Sequence, residues 1–464
     1  MHDSVPPEPV DILLSAGTVI TMNASQEVID DGAVAVRGDT IVAVGPRSLL
    51  EANFRARETL AYPKDLILPG LINAHTHAAM TCFRGLADDL PLERWLQEHI
   101  FPAERLLCRD LVYWGARLAI AEMILSGTTT FCDMYLFEDA VAQAAREIGM
   151  RAVVGEVLYD FPSPNYGEAA NGLKLTEELL QTWKGDPLVQ VAVKPHAIYT
   201  CAPDLLQRCG ELAQRYDARL SLHLAETQQE VAFCRERYGA TPVEHLLNLG
   251  LLNDRLVAPH VVVLSPRDRE LLAEHQVGVV HCPESNMKLA SGVAPVVELL
   301  QLDVAVGLGT DGCASNNNLD LFQEMDTAAK LHKVFHLDPT VLPAPTVLDL
   351  ATRRGARAWH LEEQVGSLEP GKQADIVVLQ GDQPHLVPMY NPYSQLVYAA
   401  TGSDVRTVLI AGRVVLKDRQ LLTMDVVEAM AKVAEYARAV GRYACSREWG
   451  VGAPAWREGA SRPL

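Results

Sequence analysis

Two histidines at alternate positions, His75 and His77, end an apolar run that reads PGLINAHTH. In an extended strand, alternate residues point to the same side, so the two imidazoles can share one metal ion. The preceding residues, DLIL, are typical of a buried strand, which places both histidines at its C-terminal end. Two nearby histidines are about as often ordinary polar residues as ligands, so the pattern needs partners further along the chain.

Two further residues of ligand type also end strand-like runs. His223 ends RLSLH, and Asp311 ends VAVGLGTD. Buried strands seldom end in such residues without a function. With His75 and His77 they supply three imidazoles and one carboxylate, which suits one divalent ion, such as Zn²⁺, with a coordination position open for water.

Acid–base candidates lie beside these ligand types. Glu226 follows His223 in HLAE, where it can face the same water and transfer protons; the alternative is a solvated loop glutamate. His260 ends LVAPH and can hydrogen-bond the activated water; the alternative is a buried structural histidine. His281, in VVHCPESNMKLASG, is better suited to support the site than to bind the metal.

The spacing of the strand-like runs predicts the fold. Residues 67–365 alternate eight such runs with helical segments, which predicts an α/β fold with a TIM-like (β/α)₈ barrel and its chemistry at the C-terminal strand ends. Short strand patterns at 10–66 return near the C-terminus, and we expect both ends to form one small β-sandwich. The expected segments are 1–66 and 366–464 for the sandwich, with a helical tail, and 67–365 for the barrel.

Composition excludes several classes of protein. Forty basic against fifty-nine acidic residues give a net charge of −19, which disfavours nucleic-acid and anionic membrane partners. The sequence contains no apolar run of membrane-spanning length and no basic leader followed by an apolar one, so we expect a cytoplasmic protein. The nine cysteines contain no C-x-x-C pair, as expected of reduced thiols.

Four motifs, PGLINAHTH, HLAE, GTDGCASNN and EPGKQADIVVL, resemble the amidohydrolase superfamily over nearly the whole chain. The stretch HTHAAMTCFRGLADDLPLERWLQEHIFPAE is similar to the 5′-methylthioadenosine/S-adenosylhomocysteine deaminases. This resemblance implies a barrel with a sandwich from both termini, one catalytic metal ion, a homo-oligomer, and hydrolytic deamination of adenine in a nucleoside. It implies metal binding by His75, His77, His223 and Asp311, and substrate contacts by Trp95, Glu104, His196, Glu226 and Asp311.

The residues agree with that chemistry. Replacing the C6 amino group of adenine by hydroxyl needs hydroxide, and a metal ion lowers the pKa of its bound water to about 7. Asp311 can accept a proton from that water, Glu226 can protonate the ring nitrogen, and His260 can stabilise the developing oxyanion. Glu104 can pair with ribose hydroxyls, and His196 with the sugar or the purine; their alternatives are helix-face and core residues.

Other interpretations stay open at this point. A binuclear cyclic-amide hydrolase would need a bridging carboxylated lysine, for which Lys194 is the candidate, and would hold two metal ions where a deaminase holds one. A different aminopurine deaminase is a further alternative. A cytidine-deaminase-like enzyme is disfavoured, because His360-Leu-Glu362 is followed by no P-C-x-x-C motif. A non-catalytic metal-stabilised binding protein would have no need of Glu226 or an open coordination site.

The loop after the third strand bears on substrate choice. Residues 160–174 read DFPSPNYGEAANGLK, without the arginine that some related deaminases are expected to use for the homocysteine carboxylate. Lys174 lacks the planar fork for bidentate binding, whereas Phe161, Pro162 and Tyr166 suit an apolar 5′ substituent. We therefore predict that methylthioadenosine is preferred over S-adenosylhomocysteine. The tail at 445–464 has no assigned role.

Overall fold

The computed structural model describes residues 7–446. Within that range, eight parallel strand segments close into a barrel, because Asp311 in the last pairs with Thr76 in the first and a bridge joins Val193 to Leu220. This closed alternation confirms the predicted (β/α)₈ barrel. In order, the barrel strands are Leu71–His77; Thr128–Asp133; Arg151–Val154 with Val157–Leu158; Val189–Val191 with Lys194–Pro195; Leu220–Ser221; Leu256–Pro259; Gly278–His281; and Val306–Leu308 with Asp311–Gly312.

Helices alternate with these strands and surround them. Their starts follow from local sequence: the Thr241 side chain accepts from the Glu244 amide, and the Glu244 carboxylate accepts from the Thr241 amide. None of the described helices is both long and apolar enough to cross a membrane. The helices between and after the barrel strands are Arg109–Leu125, Glu138–Ile148, Ala169–Thr182, Pro203–Tyr216, Gln228–Tyr238, Pro242–Asn248, Pro266–Glu274, Pro283–Lys288, Val296–Gln301 and Leu321–His336.

Shorter helical segments complete the chain. The segment after the first barrel strand is irregular, with a π-helical turn inserted between two short α-helical turns. The last helix is Val426–Ser446, and the rest of the tail, 447–464, lies outside the described residues. The segments are Arg47–Asn53, Ala78–Phe83, Leu92–Arg94, Trp95–Ile100, Phe101–Glu104, Ala344–Leu350, Arg353–Ala358, Pro392–Tyr398 and Gly402–Asp404.

A small β domain is built from both ends of the described chain, as predicted. Its eight described strands belong to one hydrogen-bonded sheet, in which the two chain ends meet where Val377 pairs antiparallel with Leu68. Apolar side chains from both ends, such as Leu14, Val34 and Val378, pack in one buried cluster. In spatial order the strands are Gln420–Leu421, Arg413–Lys417, Val405–Ile410, Ile376–Leu379, Phe54–Pro69, Glu8–Ile20, Val28–Arg37 and Thr40–Pro46.

A buried ion pair joins this sheet to the barrel. Two guanidinium nitrogens of Arg151, at the start of the third barrel strand, each lie 3.0 Å from a carboxylate oxygen of Asp375. Asp375 also accepts from the Ala411 amide at 2.8 Å, and its carbonyl accepts from the Gly70 amide at 2.9 Å. Since Gly70 immediately precedes the first barrel strand, these contacts fix the strand that leads to His75.

Candidate active site

Three imidazoles meet at the C-terminal end of the barrel. The ring centroid of His75 lies 4.9 Å from that of His77 and 5.0 Å from that of His223. One candidate ligand nitrogen from each of the three rings lies within 4.8 Å of the other two. The Asp311 Oδ1 atom is 3.1 Å from His77 Nε2 and 3.5 Å from His75 Nε2. The structure therefore brings together the four residues that the sequence analysis proposed as ligands.

The last barrel strand approaches His75 closely, and Gly309 allows it to do so. A Cβ atom at position 309 would lie 2.8 Å from the His75 carbonyl oxygen and 2.9 Å from its nitrogen. Asp311 follows with a left-handed backbone, φ 58°, and His260 has a similar φ of 75°. Non-glycine residues adopt this region at a cost, which structures commonly accept at functional sites.

The donor set suits a divalent metal ion. His75 Nε2 is buried and has no hydrogen-bond partner among the described residues. Burial lowers the pKa of His75 to about 3 and that of His223 well below its ordinary value, which keeps both imidazoles in the neutral form that binds metals. Burial alone would raise the pKa of Asp311, but the neighbouring imidazoles of His75 and His77 hold that pKa well below its usual value. Nitrogen and carboxylate donors in this number fit Zn²⁺.

Backbone carbonyls orient two of the imidazoles. His223 Nδ1 donates to the His196 carbonyl at 2.9 Å, and His77 Nδ1 donates to the Met134 carbonyl. Each contact leaves the Nε2 lone pair directed at the cluster, which is the usual arrangement for metal-binding histidines. The Asp133 carboxylate accepts from the Ala78 amide at 2.6 Å and so fixes the chain just after His77.

Glu226 and His260 lie beside the cluster. The Glu226 Oε2 atom is 3.9 Å from His260 Nε2, and both side chains are buried. Burial, followed by the negative charge of Asp311, raises the pKa of Glu226 to about 8, so this carboxyl holds a proton near neutral pH. Glu230 fixes the backbone here, since its carboxylate accepts from the amides of Ala225 and Glu226 at 2.8 and 2.9 Å.

The cavity above the cluster is also lined by Trp95, Glu104 and His196, the residues assigned to substrate by resemblance. Trp95 Nε1 donates to the Ala87 carbonyl at 3.1 Å, and His196 Nδ1 lies 2.8 Å from the Thr200 hydroxyl, so both rings are held in place. Burial raises the pKa of Glu104 to about 7. The cavity wall thus combines aromatic surface with a few polar groups, as small-molecule sites commonly do.

Sequence reasoning missed two polar residues that contact the catalytic candidates. Ser285 Oγ donates to Asp311 Oδ2 at 2.6 Å, and the Asn286 amide nitrogen lies 3.0 Å from His260 Nδ1. Both belong to VVHCPESNMKLASG, in which only His281 was singled out from the sequence. The buried polar pair directly after a strand end was the available signal. His281 itself faces His332, with 3.2 Å between their Nε2 atoms.

Lys194, on which the binuclear alternative depends, has its contacts elsewhere. Its ammonium donates to the carbonyls of Asp133 and Val153 and lies 4.9 Å from the centre of the Trp359 ring. Trp359 follows the helix Arg353–Ala358 and contacts the barrel interior. An ammonium that donates to two backbone carbonyls and lies over an aromatic ring makes structural contacts.

Residues 66–415 match the amidohydrolase family. The chain belongs to the amidohydrolase family. It is 60% identical over 430 residues to the 5-methylthioadenosine/S-adenosylhomocysteine deaminase of Syntrophobacter fumaroxidans, covering 93% of this chain and 98% of that one. It is 54% identical over 434 residues to the 5-methylthioadenosine/S-adenosylhomocysteine deaminase 1 of Syntrophus aciditrophicus, covering 93% of this chain and 98% of that one. The crystal structure of an adenosine deaminase from Xanthomonas campestris with bound zinc superposes with a TM-score of 0.93 at 43% identity, covering 94% of this amidohydrolase and all of that chain.

Proposed function

We propose that this amidohydrolase hydrolyses the amino group from the adenine of 5′-methylthioadenosine and related adenosine derivatives, releasing ammonia and the inosine derivative. The observation that carries the proposal is the position of Glu226. Its buried carboxyl lies 3.9 Å from His260 and shares one cavity with His77, His223 and Asp311. The relatives that bear the deaminase name support the same reaction.

A single divalent ion, most simply Zn²⁺, is proposed for the cluster of His75, His77, His223 and Asp311. The orphaned Nε2 atom of His75 and the neutral state of the buried His75 and His223 imidazoles support this assignment. When bound, the ion would supply Lewis acidity and lower the pKa of a coordinated water to about 7. The similar adenosine deaminase from Xanthomonas campestris, whose crystal structure contains bound zinc, supports the choice of metal.

Asp311, Glu226 and His260 then move or hold protons. We assign to Asp311 Oδ1 the proton removed from the attacking water as the new bond to C6 forms. Glu226 donates its proton to the ring nitrogen beside C6, and His260 donates a hydrogen bond to the oxygen added at C6. The C6 hydroxyl then returns its proton to Glu226 as the C6 carbonyl forms, and the amino group leaves as ammonia after it receives the proton held by Asp311. The ring nitrogen keeps its proton in the product.

The remaining cavity residues hold the nucleoside. Glu104 is placed to accept hydrogen bonds from ribose hydroxyls, and His196 to bond the sugar or the purine. Trp95, whose indole is fixed by its bond to the Ala87 carbonyl, would cover one face of the bound nucleoside. These contacts act on the ground state and the transition state alike, whereas the contacts of Glu226 and His260 strengthen as the reaction proceeds.

Beyond the ribose, an aromatic group favours an apolar substituent. The Phe161 ring lies 4.5 Å from that of Tyr159 and 5.6 Å from that of Phe101, and both Tyr159 and Phe101 line the cavity. The cavity opens into an outer groove whose wall includes Phe161, Arg237 and Lys288. Lys174 is paired with Glu178 at 3.7 Å and is absent from the described walls of the cavity and of the outer groove. This arrangement supports methylthioadenosine over S-adenosylhomocysteine as the preferred substrate.

Ammonia release from a panel of compounds tests the function. Adenosine, 5′-deoxyadenosine, methylthioadenosine, S-adenosylhomocysteine, guanine and cytosine distinguish a nucleoside deaminase from another aminopurine deaminase. We expect turnover of the adenosine derivatives and none of cytosine. Turnover of guanine alone, or of none of the compounds, would overturn the proposal.

We also propose, from the family resemblance and the class of substrate, that the chain works as a homo-oligomer in the cytoplasm. Light scattering after size-exclusion chromatography measures the first point, and fractionation of the source cells the second. A mass equal to that of one chain, or recovery outside the cytoplasmic fraction, would contradict them.

A further inference from the structure

The short helix Pro283–Lys288 presents two adjacent polar side chains to the active site. It follows directly after the seventh barrel strand, and both Ser285 and Asn286 are at most 1% exposed. Ser285 contacts Asp311, and Asn286 contacts His260. One element therefore touches two of the residues to which the proposed reaction assigns proton transfer or hydrogen bonding.

On the Asp311 side, two hydroxyls hold one carboxylate oxygen. The Oδ2 atom accepts from Ser285 at 2.6 Å and from Ser315 at 2.9 Å, and the two hydroxyl oxygens are 3.1 Å apart. The other oxygen, Oδ1, faces His75 and His77. Two bonds to one oxygen fix the rotation of the carboxylate and leave Oδ1 available to the cluster.

On the His260 side, an amide fixes the tautomer. The Asn286 Nδ2 atom lies 3.0 Å from His260 Nδ1. With the Asn286 NH₂ group facing Nδ1, the amide donates and Nδ1 accepts, so a neutral imidazole carries its proton on Nε2. His260 Nε2 is the atom 3.9 Å from Glu226, and both residues line the cavity.

We infer that Ser285 and Asn286 are positioning residues of this active site: Ser285 sets the rotation of the Asp311 carboxylate, and Asn286 holds His260 in the Nε2–H tautomer. The inference rests on the proposed function, because it is the deamination that requires His260 to donate from Nε2 and Asp311 to accept at Oδ1. Neither side chain touches the substrate in this assignment, and each acts through the residue that it contacts.

Nitrogen NMR of the histidines tests the tautomer without reference to activity. In zinc-loaded protein labelled with ¹⁵N-histidine, the His260 signals are identified by their loss in His260→Gln. We expect Nε2 to be protonated in the parent, and Nδ1 to become protonated in Asn286→Asp, since a carboxylate accepts where the amide donates. A parent with the proton on Nδ1, or an unchanged pattern in Asn286→Asp, would overturn the assignment.

Kinetics and zinc affinity test the positioning role. Ser285→Ala and Asn286→Asp are expected to lower kcat by about 10- to 100-fold with little change in KM, the usual effect of losing a partner of an active-site group. Ser285→Ala should also bind zinc more weakly in competition with a chelator. The control is Met287→Ala, on the same helix and half-exposed.

The outcomes separate this inference from the proposed function. Parent-like kcat in both variants, or an equal loss in Met287→Ala, would overturn the positioning role even if the parent protein is an active deaminase. Thermal melting of each variant identifies a general loss of folding, which would leave the tautomer measurement on the parent as the deciding result. Failure of the parent to release ammonia from any nucleoside would refute the function, while the tautomer and zinc measurements would still decide the contacts.

Discussion

The Nε2 atom of His260 lies 3.9 Å from the Oε2 atom of Glu226, in a site where both side chains are buried. The two groups come from the ends of different barrel segments, since Glu226 follows the fifth strand and His260 the sixth. Their shared cavity lets one atom at C6 of a purine approach both. The proposed reaction gives the two residues separate roles, which can be tested separately.

Glu226→Gln should keep the metal and lose about 10²- to 10⁴-fold in kcat, because the amide nearly preserves shape but cannot transfer a proton. Metal content and steady-state kinetics measure the two effects. Glu236→Gln, on the exposed side of the following helix, is the matched control and should be unaffected. Activity of Glu226→Gln within tenfold of the parent would remove Glu226 from the proton path.

Metal removal should abolish activity, and His223→Ala should bind zinc weakly. Losing one of four proposed ligands lowers the affinity for the ion and loosens the orientation of the other ligands. Chelation followed by zinc addition should restore the parent and leave the variant largely inactive at the same zinc concentration. His360→Ala changes an exposed histidine outside the described cavity wall and serves as the control. Full turnover in metal-free protein would contradict the metal-dependent reaction.

Glu104→Gln should lower kcat/KM for nucleosides, because it weakens the proposed hydrogen bonds to the ribose hydroxyls. Above the Glu104 pKa of about 7 the carboxylate is charged, and a hydrogen bond to a charged group contributes about 1.5 to 3 kcal/mol. At a pH of about 8, kcat/KM for methylthioadenosine should therefore fall by roughly 10- to 100-fold. The same variant should lose much less on analogues that lack the ribose hydroxyls. An equal loss on both classes of substrate would show that Glu104 acts on something other than the ribose.

The buried pair of Arg151 and Asp375 predicts a stability effect far from the chemistry. Both side chains are at most 4% exposed, so removing one partner leaves an unpaired buried charge, which costs about 3 to 5 kcal/mol. Urea unfolding of Asp375→Asn should show this loss, whereas the exposed pair of Lys417 and Glu58 should contribute about 1 kcal/mol or less. Equal effects in Asp375→Asn and Lys417→Gln would refute the role of burial.

The strand-end residues could be predicted from the sequence because a strand has a simple period and its polar ends stand out against apolar runs. His75, His77, His223 and Asp311 each followed such a run, and the barrel topology brings the ends of its strands together. For Trp95 and Glu104 the sequence pattern was silent. They belong to an irregular segment with a π-helical turn, so only the family resemblance pointed to them.

Ser285 and Asn286 could not be derived from local patterns because their function lies in long-range contacts. Each lies 26 residues from its partner in the chain, and the contact depends on how a six-residue helix packs against two strand ends. The partners of Lys194 could not be predicted from the sequence either. Its place in the fourth strand suggested a metal-bridging lysine, whereas its ammonium donates to backbone carbonyls. Propensity and periodicity predict elements, and packing decides such contacts.

The outer groove decides the last prediction, which concerns the choice between methylthioadenosine and S-adenosylhomocysteine. Its described wall includes Arg94, Lys288 and Arg237; Arg94 is paired with Glu98, and Lys288 with Asp88. Arg237 forms no ion pair with a described residue, although its guanidinium lies 5.8 Å from the centre of the Tyr238 ring. Arg237 is therefore the cation best placed to bind the homocysteine carboxylate, which would oppose the preference for an apolar substituent.

We expect kcat/KM for methylthioadenosine to exceed that for S-adenosylhomocysteine by roughly 10- to 100-fold, because the homocysteine carboxylate lacks a charge-assisted contact of about 1.5 to 3 kcal/mol. Competition between the two substrates in one reaction measures the ratio directly. Arg237→Gln should leave the ratio unchanged. Lys174→Gln, on the helix Ala169–Thr182 and outside the described walls of the cavity and the groove, is the matched control and should also leave it unchanged. Equal use of both substrates in the parent would contradict the preference, and if Arg237→Gln then restored it, Arg237 would be the group that binds the carboxylate.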